Sequence, residues 1–128
     1  MIDHAKKGYP NEACGILAGP PQNAADENKK ATEFFPMTKM DNASISYFMD
    51  PKEQLSVLKR MRELGVEMTG IFHSHVASEA YPSQKDVRLA FYPDVSYLIL
   101  SLSDMDRPVL RSFKINEEKV TEEEIKIV

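Results

Sequence analysis

The chain has 128 residues, 42% of them hydrophobic and 28% charged, with a net charge of -4 at neutral pH. This composition fits one soluble globular domain with its own core; it excludes a disordered chain and, lacking a dense basic patch, argues against nucleic acid or an anionic membrane as a main partner. Cys14 is the only cysteine, so no intrachain disulfide can form. No apolar run approaches the roughly 18 residues of a membrane span, and "MIDHAKKGYP" lacks a signal-peptide core, so the cytoplasm is the expected location.

In chain order, "MIDHAKK" reads as the last turns of a helix broken by Gly8 and Pro10. "EACGILAG" is a short, apolar strand, and the proline-marked segment from Pro20 to Lys30 is an exposed loop. "ATEFFPMT" and "SISYFMD" are strand-forming, joined by a polar turn. The strongest helix is "DPKEQLSVLKRMRELG", with Asp50 as N-cap, Pro51 in first helical position, Glu53 completing a capping box and Gly65 as terminator. Leu55, Leu58, Met61 and Leu64 are expected to form its apolar face. "VEMTGIFHSH" follows as a buried strand, "VASEAYP" as a loop and "SQKDVRLAF" as a short helix. "VSYLILSLS" is the most hydrophobic strand and is expected at the sheet centre; "VLRSFKI" is another strand, and the glutamates from Glu117 to Glu124 form a solvated face or turn. The expected fold is a single mixed domain over 1–128, α/β or α+β, with a largely antiparallel sheet flanked by helices.

Chemistry concentrates at residues 73 to 86. His73 and His75 share strand parity and project from one face, whereas Ser74 faces away. Alone, such a pair is a weak signal, more often two partly buried, hydrogen-bonded structural histidines than a metal site. Ser83 and Asp86 likewise have a structural reading as a helix cap. The readings are compatible, since a capping serine can accept from the backbone while donating its own proton elsewhere. Two imidazoles and a carboxylate are the three protein ligands of a catalytic zinc, which keeps its fourth position for water; structural zinc takes four. Such a site needs a base. Glu12 is the candidate, a carboxylate heading an apolar strand, where a charge is expensive unless used or paired; in isolation such a residue is more often simply an exposed strand start.

The pattern Glu12 … His73-Ser74-His75, seven residues, Ser83-Gln84-Lys85-Asp86 resembles the JAMM (MPN+) zinc metallopeptidases, from "NEACGILAG" to "VSYLILSLS". The resemblance implies a JAMM/MPN-like, cytidine-deaminase-like fold and one Zn2+ held by His73, His75 and Asp86. It also implies that Glu12 takes the proton of the attacking water and returns it to the departing amine, while Ser83 hydrogen-bonds the oxyanion. "YPNEACGILAG" is similar to the small bacterial branch in particular, whose members act on ubiquitin-like sulfur-carrier proteins ending in Gly-Gly, in one case releasing cysteine. That branch implies a protein partner and allows a homodimer. Family members usually carry a strand and a longer first helix ahead of the glutamate; here about eleven residues precede Glu12, so an N-terminal strand and part of the first helix are expected to be missing.

Two rivals remain at this level. Cys14 shares parity with Glu12 and could complete an inert Cys-His-His-Asp zinc site. A non-catalytic MPN-type interaction module is the other. A zinc deaminase is excluded, because its Pro-Cys-x-x-Cys motif needs two cysteines. His4 is expected to be exposed and not a ligand.

Overall fold

A computed structural model describes residues 1–9, 13–21, 30–37, 51–88, 90, 92 and 94–125. The elements are α1 (Ile2–Gly8), β1 (Cys14–Gly19), β2 (Glu33–Met37), α2 (Pro51–Leu64), β3 (Glu67–His75), α3 (Gln84–Arg88), β4 (Ser96–Ser101), β5 (Val109–Asn116) and β6 (Lys119–Glu123). The six strands form one sheet in the order β2-β1-β3-β4-β5-β6. Every neighbouring pair is antiparallel except β3 and β4, which run parallel. A parallel pair cannot be closed by a hairpin, so the chain must leave the end of β3, cross over and return. That crossover carries α3, and the functional residues cluster where it begins.

Both faces of the sheet are covered, which explains the continuous rather than alternating hydrophobicity of β1 and β3. All of β1 is buried, as are the last seven residues of β3. One core contains Ile16, Ile71, Tyr97, Ile99 and Phe113 together with Met61 of α2. The other contains Leu17, Phe72 and Leu100 together with Ala5 of α1. The β4 strand is central, as its sequence predicts. Among the described residues, no helix is long and apolar enough to cross a membrane.

The helix α2 departs from expectation. Met61 is buried at 5% exposure, but Leu55 is 69% exposed, Leu58 46% and Leu64 40%. The side that packs on the core runs through Val57 and Met61 instead. The helix ends as predicted: Gly65 adopts φ 68°, with Val66 N–H bonded to Met61 O at 3.0 Å and Gly65 N–H to Arg62 O at 3.2 Å. These two bonds make a Schellman termination, which favours glycine at the left-handed position. Asp50, "SISYFMD" and most of the loop after Pro20 lie outside the described residues.

His4 is not exposed. It is partly buried, its Nε2 donates to Cys14 O at 3.1 Å and its ring meets Phe34 edge-on, so it ties α1 to β1. The acidic C-terminal stretch contains one more strand than the sequence reading gave it. Glu117 and Glu118, both at positive φ, turn the chain between Asn116 and Lys119, and β6 returns along β5 as the mostly exposed edge.

Candidate metal centre

The apolar run of β3 ends in three buried polar residues, His73 (1% exposed), Ser74 (0%) and His75 (7%). Strand alternation separates their duties. Ser74 turns to the α1 side, where its hydroxyl accepts from Ala13 N–H at 2.8 Å, and its own N–H donates to Ala13 O at 2.9 Å. The residue after Glu12 is thereby pinned to the strand that carries the histidines. Glu12 itself lies outside the described residues.

On the opposite side the two imidazoles converge. His73 Nε2 and His75 Nε2 are 3.0 Å apart, and each is 3.2 Å from Asp86 Oδ2. Asp86, 5% exposed, comes from the first turn of α3. It is aimed by a reciprocal cap: Ser83 N–H donates to Asp86 Oδ2 at 2.9 Å, and Asp86 N–H donates to Ser83 Oγ at 3.0 Å. Both sequence readings of Ser83-x-x-Asp86 therefore coexist, since the cap is what brings the carboxylate to the histidines. Because Ser83 Oγ is an acceptor in this cap, its own proton is available to another group, and the residue is exposed.

The protonation pattern points to a cation. His75 Nδ1 lies 2.9 Å from Glu79 O. A carbonyl only accepts, so Nδ1 carries the hydrogen, which leaves Nε2 as the nitrogen that a neutral ring would offer to a metal. Burial would raise the Asp86 carboxyl, but hydrogen bonds from His73 and His75, the charge at His73 and the Ser83 backbone N–H outweigh it and hold the group well below the usual carboxylate range. With His75 in that neutral form, the Nε2 lone pair and the anionic oxygen, 3.2 Å apart, would repel unless a proton or a metal ion sits between them. Tetrahedral zinc with ligand bonds of about 2.0–2.1 Å has ligand–ligand edges of about 3.3–3.4 Å, close to the triangle seen here. His73, His75 and Asp86 are the group of residues able to hold a metal ion among those described.

Cys14 is placed directly opposite His73 in the β1–β3 register, yet its Sγ lies 3.6 Å from Met37 O, in the core. It is outside the converging group, and so is His4. Sequence reasoning missed the Glu79 carbonyl that orients His75. No residue type marks a backbone acceptor, so the sequence holds no signal for it.

Comparison with known proteins agrees with this geometry. Over its full length the chain is 40% identical to the CysO-cysteine peptidase of Mycobacterium tuberculosis, covering 84% of that protein. It is 31% identical over 106 residues to the desampylase of Haloferax volcanii, covering 79% of this chain and 73% of that one. Among solved structures, protein DSY2949 from Desulfitobacterium hafniense superposes with a TM-score of 0.86 at 44% identity, covering 98% of this chain and 84% of that one. AF2198, a JAB1/MPN domain protein from Archaeoglobus fulgidus, shares the fold with a TM-score of 0.63 at 17% identity, covering 99% and 89%. The profile of the prokaryotic homologues of the JAB domain matches residues 1–116, and the chain belongs to that family.

Proposed function

We propose that this protein is a JAMM-type zinc metallopeptidase that hydrolyses the bond after the C-terminal Gly-Gly of a ubiquitin-like sulfur-carrier protein, releasing an attached residue such as cysteine. The observation that carries the reading is the convergence of His73 Nε2, His75 Nε2 and Asp86 Oδ2 on one point beside an exposed Ser83 hydroxyl with a proton to donate. The names of the relatives support the substrate class: one is a CysO-cysteine peptidase, another a desampylase, and a third, from Thermus thermophilus, a probable TtuB-protein conjugate cleaving protease.

In this reading His73, His75 and Asp86 hold the zinc. When bound, zinc supplies a Lewis acid that polarises the scissile carbonyl and acidifies water towards neutral pH. Glu12 accepts the proton of the attacking water and delivers it to the departing amine. Ser83 donates its hydroxyl proton to the oxyanion of the tetrahedral intermediate. Without metal, hydrogen bonds from the two imidazoles and the Ser83 N–H already hold Asp86 anionic, the form in which a carboxylate ligates zinc. A structural zinc in a non-catalytic module would call for a fourth protein ligand; the group among the described residues has three. The reading places a monomer or homodimer in the cytoplasm, acting on a protein partner.

The test is a zinc-supplemented cleavage assay read by mass spectrometry, on a sulfur carrier bearing cysteine on its Gly-Gly end. The wild type removes the cysteine mass and Glu12→Gln, with zinc still bound, does not. Cleavage by Glu12→Gln at the wild-type rate would overturn the assignment of the base.

A further inference from the structure

Ser101, the last residue of β4, stands opposite His75 in the parallel β3–β4 register and is 4% exposed. Its hydroxyl makes three bonds. Oγ lies 2.6 Å from Ser78 O, and since a carbonyl only accepts, the Ser101 proton is spent there. The contact with Ser103 Oγ at 3.0 Å must then run the other way, with Ser103 donating, and Ser103 N–H donates to the same oxygen at 3.3 Å. One donor and two acceptor sites are filled, which is all that a hydroxyl offers.

What this hydroxyl holds is the exposed start of the crossover. Residues 77–79 are exposed at the surface. Beyond Ser78, Glu79 O receives two donors, His75 Nδ1–H at 2.9 Å and Tyr81 N–H at 2.8 Å. Leu102 N–H, beside Ser101, also bonds His75 O at 2.8 Å, so the end of β4 grips both the backbone of His75 and the loop that faces its ring. We infer that Ser101 is a positioning residue of the metal centre: by anchoring Ser78 it keeps the Glu79 carbonyl against His75 Nδ1, and so keeps Nε2 as the metal-facing lone pair. Groups that orient a ligating histidine typically change metal affinity by about 10- to 100-fold when lost.

The inference rests on the metal-centre reading but not on the substrate. Metal-free wild type, Ser101→Ala and Ser101→Thr are titrated with zinc against a chromophoric chelator, with melting temperature of the metal-free forms and the absorption of cobalt-loaded forms measured alongside. Ser101→Ala is expected to bind zinc about tenfold or more weakly and to show an altered cobalt spectrum, while its metal-free form still melts cooperatively; Ser101→Thr, which keeps the hydroxyl, recovers both. A purely structural role would lower the melting temperature and leave the zinc affinity and cobalt spectrum of the folded protein unchanged. Zinc binding at wild-type strength in Ser101→Ala overturns the inference and leaves the proposed function standing. Should that variant not fold, Ser103→Ala, which removes the Ser103 hydroxyl donor to the same oxygen and keeps its backbone N–H, takes its place under the same criterion. A wild type that takes up no zinc overturns the metal-centre reading itself.

Discussion

Ser83→Ala separates the two duties of one hydroxyl. As an acceptor, Ser83 Oγ caps α3 through Asp86 N–H at 3.0 Å. Losing a cap of this kind costs about 1 kcal/mol, or roughly fivefold in an equilibrium. The loss should fall on the pose of Asp86, and hence on zinc affinity and melting temperature, although the Ser83 N–H bond to Asp86 Oδ2 at 2.9 Å survives the substitution. As a donor to an oxyanion, the same hydroxyl is worth about 10²–10³ in kcat, some 2.7–4 kcal/mol. The second effect exceeds the first by at least an order of magnitude in rate, so the two can be read apart. With zinc saturating and its stoichiometry confirmed by metal analysis, kcat for removal of cysteine from the carrier is expected to fall at least a hundredfold, with zinc affinity reduced by no more than about tenfold. Ser83→Thr, keeping both duties, should stay near wild type. A fall in kcat of fivefold or less in zinc-loaded Ser83→Ala would refute the donor role and leave Ser83 a helix cap.

His75→Ala is expected to abolish stoichiometric zinc by removing one of the three converging atoms; a full zinc complement by metal analysis would refute its place as a ligand. Stripping the wild type with a chelator should remove turnover and lower the melting temperature, since a ion bound only by the folded state stabilises it, and added zinc should restore both. Ser74→Ala strands the buried Ala13 N–H that Ser74 Oγ accepts at 2.8 Å. That costs about 1–3 kcal/mol, a loss of several degrees in melting temperature for a domain of this size, and an unchanged melting curve would contradict it.

Much of the centre was legible because strand parity and helix capping are local rules. Alternation along "HSH" puts two imidazoles on one side and a serine on the other, and Ser83-x-x-Asp86 caps α3. The misreading of α2 has an equally local cause. Leu55, Leu58, Met61 and Leu64 are spaced by three, and each such step turns about 60° short of a full helical circle. Four in succession sweep about 180°, so they cannot all face one sheet. Val57 and Met61, four apart, stay aligned and are the ones that pack. The β5–β6 hairpin was hidden because its turn uses Glu117 and Glu118 at positive φ, where glycine or asparagine would have announced it. The clamp from Ser101 to the Glu79 carbonyl was beyond sequence reasoning, since it depends on the parallel return of β4 beside β3.

The three converging atoms come from one unbroken stretch, His73 to Asp86, joined by a strand end, a loop and a single helical turn. Glu12, the proposed base, lies far upstream in the sequence. In the proposed mechanism, binding and chemistry are thus carried by different parts of the chain. A descendant can lose its glutamate and keep a metal-braced scaffold, or drift in its first strand while the metal grip persists. The same contiguity makes residues 73–86 a cassette: grafted between a parallel pair of strands of like spacing, it would carry its ligands and its cap along with it.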